Sequence, residues 1–276
     1  MAVPGDLTVH AGAKARRGSG WYEVLARVGL VAKGLSYGLV GALALKLALG
    51  DGGKATSRQG ALQAMARHSF GKIVLIALAA GFACYALWRL VEGFALREDD
   101  PKKLWGKRLA RWARAAIYGG LTFSALKIVA GAGGGPSQNE KAHKTTALVL
   151  SWPGGTWIVG LAGAALLAYG FAQFYRAITR NFEKRWRGMS ATARRWGGRL
   201  GVAGLMARGI VFGLVGVFVI KAALDYNPKD AIGLDGALQK LARASYGPWL
   251  LGVTAAGLVC YALYCLVDAR YRDVSA

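Results

Sequence analysis

The sequence is poor in the residues that build catalytic and metal centres. Of its 276 residues, only three are histidine, three are cysteine and 14 are acidic. His10, His68 and His143 stand far apart in predicted loops, and the cysteines lack the spacing of metal ligands or of a disulfide framework. No nucleophile is paired with a base. We therefore expect a protein that is not an enzyme and that has no metal and no cofactor.

Charged residues are also scarce, at 18% of the chain, whereas 54% of the residues are hydrophobic and 40 are glycine. This composition is too apolar for an ordinary soluble domain. A formal net charge of +22 would indicate nucleic-acid binding in a soluble protein, but most of the basic residues lie between hydrophobic segments. Lysine and arginine at such positions set the topology of a membrane protein. We predict a membrane protein with no nucleic-acid partner.

Six segments are long and apolar enough to cross a hydrocarbon core of about 30 Å as helices. All six prolines lie outside the interiors of these segments. The predicted fold class is therefore all-α, an integral membrane bundle of six transmembrane helices. The approximate spans are 28–49, 72–91, 115–132, 155–175, 209–224 and 248–267.

The basic residues outside these spans predict the orientation of the chain. One set of alternate segments, which includes both termini, carries 22 lysines and arginines, whereas the other set carries nine. Cytoplasmic loops carry the excess of such residues. We predict a multi-pass protein of the cell (inner) membrane with both termini in the cytoplasm.

The chain contains three tandem copies of one two-helix unit. Residues 33–38 align without gaps with 114–119 and 208–213, and in each copy a lysine follows the last glycine by eight positions. Each even-numbered helix starts at a glycine that precedes a tyrosine by 14 residues. The loops before the second and sixth helices share a Gly-Ala-Leu-Gln sequence and predict a short amphipathic helix on the outer surface. Because each copy begins on the same side, the repeats predict pseudo-threefold symmetry about the membrane normal.

The repeated unit runs from a basic residue, a glycine and an aromatic-glycine pair, through Gly-Ala-Leu-Gln and Ser-aromatic-Gly, to a helix with a central tyrosine. In this it resembles the DUF1206 family of bacterial membrane proteins, and the outer copies match better than the middle one. The resemblance implies a six-helix, three-repeat membrane protein and provides no catalytic residues. The predicted organisation is a polar cytoplasmic N-terminus (1–23), repeats at 24–95, 108–178 and 200–270, basic cytoplasmic linkers at 96–107 and 179–199, and a cytoplasmic tail (271–276).

Small residues four positions apart recur in each odd-numbered helix and allow two helix backbones to approach closely in lipid. With Gly81 and Gly257 near the middle of two even-numbered helices, they suggest a tight hairpin within each repeat. The candidate packing residues are Gly34, Gly38, Ala115, Gly119, Gly209 and Gly213.

Two rows of basic residues also follow the repeat. Lys33, Arg114 and Arg208 lie near the predicted cytoplasmic interface. The second row lies 13 residues further on, which is about 20 Å along a helix axis. These lysines either anchor the helices at the outer surface or form a basic ring that attracts anions at the outer mouth of a pathway. The members of this candidate ring are Lys46, Lys127 and Lys221.

A polar stripe is predicted on one face of each even-numbered helix, because positions four and seven after the tyrosine share its side of the helix. Ionisable groups in membrane helices face protein or water, so the stripes should point inward. They form either a polar pathway or ligand site, or bonds between helices. The members are Tyr85, Arg89 and Glu92; Tyr169, Gln173 and Arg176; and Tyr261, Cys265 and Asp268.

In the outer repeats, a basic residue and an acid lie at the same cytoplasmic depth and are expected to pair. In the middle repeat both positions are basic, Arg114 and Arg176. Arg176 must then reach across the bundle to an acid of another repeat, or face the cytoplasm or an anionic ligand. The predicted pairs are Lys33 with Glu92 and Arg208 with Asp268.

The basic linkers are rich in tryptophan as well as in cations, a combination that suits anionic lipid headgroups at the cytoplasmic face. The expected partner is therefore the lipid bilayer, and a membrane protein partner of unknown identity stays open. The favoured function is a structural or accessory membrane component, because nearly every polar feature has an architectural explanation. The alternative is a transporter or channel for a small, anionic solute.

Overall fold

The structure is a computed structural model that describes residues 20–50, 62, 71–96, 100–131 and 138–273. This part of the chain folds into α-helices joined by turns and two short 3-10 helices, and it has no strand beyond one isolated bridge. The all-α prediction is confirmed. The helices are α1 (Gly20–Ala48), α2 (Gly71–Ala95), α3 (Pro101–Val129), α4 (Gln138–Leu150), α5 (Gly155–Thr179), α6 (Ala191–Leu224), α7 (Leu234–Ala242) and α8 (Gly247–Tyr271).

Six of these helices are long, and five of them are apolar enough to cross a membrane: α1, α2, α5, α6 and α8. The exception is α3, which the sequence predicts to cross as well. Basic residues fill its first half, and Arg114 and Lys127 interrupt its apolar part. It nevertheless packs along α2 in the same way as α6 packs along α5 and α1 packs along α8.

Two helices begin well before the predicted spans, because each has a side-chain cap inside a linker. The Asp100 carboxylate accepts a hydrogen bond from the backbone N–H of Lys102 at 2.9 Å, and Pro101 fits the first turn of α3. The Ser190 hydroxyl accepts one from the N–H of Ala193 at 3.3 Å at the start of α6. The basic linkers are therefore partly helical.

The long helices form a ring in which the second long helix of each repeat packs closely on the first long helix of the next repeat. These pairs are α2 with α3, α5 with α6, and α8 with α1. The helices within the first and third repeats, α1 with α2 and α6 with α8, also pack together. The contact between α8 and α1 joins the third repeat to the first, and it gives the bundle the shape of a ring.

Two glycines close the hairpin of each outer repeat. In the third repeat, a Cβ on Gly204 would lie 2.5 Å from the Cα of Tyr261. A Cβ on Gly257 would lie 2.5 Å from that of Ala207. Only glycine allows the two helices to approach this closely. The first repeat makes the same two contacts, Gly29 with Tyr85 and Gly81 with Ala32.

The hairpin of the middle repeat is open. Over their described residues, α3 and α5 do not pack closely together. Alanines, Ala110 and Ala165, take the place of the two glycines, and both are exposed. Ala113 is exposed too, whereas its equivalents Ala32 and Ala207 are each 4% exposed. The pseudo-threefold ring is thus interrupted at one place.

The predicted packing glycines serve contacts between repeats rather than within them. A Cβ on Gly34 would lie 3.1 Å from that of Cys265 on α8, and a Cβ on Gly38 would lie 3.3 Å from that of Ala262. The prediction is wrong for Gly119, where an added Cβ would meet nothing within 4 Å. At Gly213 an added Cβ would also meet nothing within 4 Å, although the backbone nitrogen of Gly213 would lie 2.9 Å from a Cβ on Gly170. The remaining candidates, Ala115 and Gly209, lie on helices that pack against the preceding repeat.

The predicted short amphipathic helix is α7 in the third repeat. Its equivalent in the first repeat lies outside the described residues, apart from Leu62, which is helical and fully buried. Near α7, the N–H of Gly233 donates to the Asn139 side-chain oxygen of α4 at 3.1 Å. These contacts join the second and third repeats at the end of the bundle opposite to the termini.

Candidate functional site

Six aromatic side chains meet in three pairs, one at each contact between repeats. Each pair joins a tyrosine on the second long helix of one repeat to an aromatic residue on the first long helix of the next repeat. We call these six residues the axial aromatic cluster; four of them are buried, and Tyr169 and Phe212 are half-buried. The ring-centroid distances are 4.3 Å for Tyr85–Tyr118, 5.0 Å for Tyr169–Phe212 and 4.9 Å for Tyr261–Tyr37.

Arg208 bridges two members of this cluster. Its guanidinium donates to the hydroxyl of Tyr261 at 2.7 Å and to that of Tyr169 at 2.9 Å. It also lies over the rings of Tyr261, at 4.5 Å, and Tyr37, at 5.1 Å. Arg208 is only 6% exposed, so hydrogen bonds and cation–π contacts replace its water.

The other two basic residues predicted near the interface converge on the same place. The Lys33 ammonium lies 5.2 Å from the ring of Tyr261 and 5.7 Å from that of Tyr85. Arg114 interacts electrostatically with Tyr85 and Tyr169. Tyr169 in turn lies within electrostatic range of Lys33, Arg114 and Arg208. We call these three repeat-equivalent cations with the axial aromatic cluster the central site.

The polar stripes point inward, as predicted. Tyr85, Tyr261 and Cys265 are 1%, 2% and 1% exposed, and Gln173 is fully buried. Arg89 donates from Nε to the Tyr85 hydroxyl at 3.0 Å, one helical turn away. All three stripes therefore reach the central site through their tyrosines.

The predicted pair between Lys33 and Glu92 is wrong. Glu92 bonds to Arg89, three residues before it on the same helix, and lies 3.3 Å from the Nε of Arg111 on α3. Neighbours at this spacing on a helix meet without any rearrangement of the backbone. Lys33 is left to the aromatic rings.

The predicted pair between Arg208 and Asp268 is also wrong. Asp268 accepts hydrogen bonds from Arg272 at 2.8 Å and from the indole N–H of Trp186 at 3.0 Å. Arg176 donates to the side-chain oxygen of Gln173 at 3.3 Å and makes no ion pair with a described residue. It does not reach across the bundle to either acid.

Part of the second basic linker folds back onto the C-terminal end of α8. Trp186 is 3% exposed, unlike Trp105 and Trp196, which are each 59% exposed. The N–H of Arg187 donates to the carbonyl of Tyr271 at 3.0 Å. The pKa of Arg185 is lowered by burial and by the nearby guanidinium of Arg272. This end of the protein is crowded with positive charge, which the sequence alone had assigned to lipid contact.

The three lysines of the candidate basic ring are exposed at the far ends of their helices. Lys221 bonds to Asp225 at 2.8 Å and to Asp230 at 3.0 Å, and its hydrogen bond lowers the pKa of Asp230. Lys127 lies 4.8 Å from the ring of Phe123. Since Lys221 is already neutralised, these lysines fit helix anchoring better than anion capture.

Within the described ranges, no three histidine, cysteine or acidic side chains come together as metal ligands. The three cysteines are free thiols in α2 and α8, and Cys265 is buried beside the central site. The chemistry available at the site is thus that of cations, phenols and an amide.

Comparison with known proteins agrees with the three-repeat architecture. The family model described as Domain of Unknown Function (DUF1206) matches residues 28–95, 110–180 and 203–272. The chain is 30% identical over 263 residues to Uncharacterized protein YxxB of Bacillus subtilis (strain 168). The alignment covers 92% of this chain and 93% of that protein. No solved structure matches it. With its three repeats and its long apolar helices, the chain is a membrane protein that belongs to the DUF1206 family.

Proposed function

We propose that the protein is a structural or accessory component of the cell membrane and not an enzyme. The observation that carries this proposal is the burial of two cluster tyrosines and of Arg208 between the repeats. Tyr85 and Tyr261 are 1% and 2% exposed, and Arg208 is hydrogen-bonded between two tyrosines. A transport pathway would need a continuous polar passage at this place. The transporter alternative has no comparable observation in its favour.

Two exposed tryptophans in the basic segments support the accessory role. Trp105 and Trp196 are exposed, and each lies beside a cation: Arg108 at 5.8 Å from the first ring and Arg199 at 5.2 Å from the second. Exposed tryptophans with cations sit well among headgroups, and each charge contributes about 1 kcal/mol there. We propose anionic headgroups as the partner of these surfaces.

A flux measurement in reconstituted vesicles tests the function. Vesicles loaded with phosphate or chloride are expected to lose these anions no faster with the protein than without it, because Tyr85, Tyr261 and Arg208 are buried where a pathway between the repeats would run. Saturable, protein-dependent flux that Arg114→Gln slows would contradict the structural role and favour transport through the central site.

We propose the orientation predicted from the basic residues, with both termini in the cytoplasm. The 22-to-9 excess of lysine and arginine supports it, and so does the even number of long helices among the described residues when α3 is counted as a sixth crossing. In a chain without native cysteines, Lys141→Cys is expected to react with an impermeant maleimide on intact cells. Arg195→Cys, on the opposite side, is expected to react only after permeabilisation. The reverse pattern would establish the opposite orientation.

A further inference from the structure

The open hairpin of the middle repeat leaves part of the central site exposed. Tyr169 is only half-buried, whereas its equivalents Tyr85 and Tyr261 are almost fully buried by the closed hairpins of their repeats. Arg114 and Arg176 lie on the two helices that flank the opening, α3 and α5, and repel each other electrostatically. The open hairpin thus coincides with two like charges and with the loss of both glycines.

The site carries more positive charge than the protein neutralises. Among the described residues, four cations at or beside it have no carboxylate partner: Lys33, Arg114, Arg176 and Arg208. Glu92 and Asp268, the acids nearest to this end of the bundle, are occupied by Arg89, Arg111 and Arg272. A charge inside a membrane protein is costly unless it is paired. Four such charges in one place call for an anion.

Hydrogen-bond donors are also left over at the site. Within the described part of the chain, the buried Nε of Arg208 and the buried Nε2 of Gln173 find no acceptor. Arg114 makes no hydrogen bond or ion pair with any described residue. Buried donors in native proteins are almost always satisfied, so unused donors beside unpaired cations indicate a missing acceptor. A phosphate group offers several acceptor oxygens and negative charge together.

We propose that the central site binds a phosphate group, which enters between α3 and α5. The lateral direction of the opening suits the headgroup of an anionic lipid whose chains stay in the bilayer. Exposed apolar side chains on both helices, such as Ile117 and Leu161, can contact those chains. Free phosphate offers the same chemistry, so the experiment separates the two sources. The proposal deepens the accessory function by naming its ligand class, and it rests on that function for its membrane setting.

The test measures ligand-induced stabilisation of the full chain in neutral detergent. The melting temperature is followed as phosphatidic acid, phosphatidylcholine or inorganic phosphate is added. Phosphatidic acid is expected to raise it, and Arg114→Gln is expected to weaken the apparent affinity about tenfold or more. Lys127→Gln is the matched control, since it removes one charge from the same helix about 20 Å away. It should bind like the wild type.

Arg176→Gln provides a second variant if Arg114→Gln does not fold, because Arg176 makes only one hydrogen bond within the described ranges. Stabilisation by phosphatidic acid alone supports a lipid source, and equal stabilisation by inorganic phosphate supports a soluble one. Equal affinities of the wild type and both arginine variants, or no stabilisation by either phosphate, would overturn the proposal. Anion flux in the vesicle assay would contradict the accessory function while leaving the binding result intact, so the two failures are distinguishable.

Discussion

Replacing Gly204 with leucine is expected to destabilise the protein by about 3 kcal/mol or more. A Cβ at this position would lie 2.5 Å from the Cα and 2.7 Å from the backbone nitrogen of Tyr261. Backbone atoms cannot move aside as a side chain can, so α6 and α8 must separate. Their separation would also shift Tyr261, whose hydroxyl accepts from Arg208. Thermal unfolding in detergent measures the effect.

Gly119→Leu is the matched control for this experiment. It places the same side chain in α3, which is the first long helix of its repeat as α6 is, at a position where an added Cβ meets nothing within 4 Å. Its melting temperature should stay within a few degrees of the wild type, because leucine also favours helix over glycine. Equal losses in the two variants, or an unchanged melting temperature for Gly204→Leu, would show that the hairpin of the third repeat is not closed at this contact.

The overall architecture could be predicted from the sequence because it depends on the bilayer and on local periodicity. A hydrocarbon core fixes how long an apolar helix must be, and the repeat fixes how many such helices there are. The helical period likewise placed Tyr85, Gln173 and Cys265 on inward faces, where the structure has them buried. These inferences need no knowledge of which helix is a neighbour.

The charge pairs could not be predicted in this way, because equal depth in the membrane does not imply contact. Glu92 bonds to Arg89 and Asp268 to Arg272, three and four residues away on their own helices. Such neighbours are always within reach, whereas a partner on another helix depends on the packing of the bundle. Because the two acids are already paired, Lys33 and Arg208 contact the tyrosines instead.

The glycine pattern was likewise informative about close approach but not about the partner. Gly34 and Gly38 contact α8 of the third repeat, not α2 of their own. The open hairpin did have a signal in the sequence. Alignment of the repeats puts Ala110 and Ala165 where the outer repeats have glycine, and Arg176 where they have an acid. The consequence depends on helix packing, because Gly29 and Gly204 lie directly against the backbone of a neighbouring helix.

The ring itself predicts which cysteine pairs can form disulfides. A Cβ on Gly38 would lie 3.3 Å from the Cβ of Ala262, although the two residues belong to the first and third repeats. This is near the separation of about 3.8 Å found in disulfides. In a chain without its native cysteines, Gly38→Cys with Ala262→Cys is therefore expected to oxidise almost completely. The pair Ala113→Cys with Ala165→Cys, across the open hairpin, serves as the control.

Oxidation of both double variants in native membranes, followed by mass spectrometry of the joined peptides, tests most directly whether the three repeats close into a ring that is open only in the middle repeat. That architecture predicts a disulfide between positions 38 and 262 and none between positions 113 and 165. A missing link at the first pair, or an efficient link at the second, would contradict it.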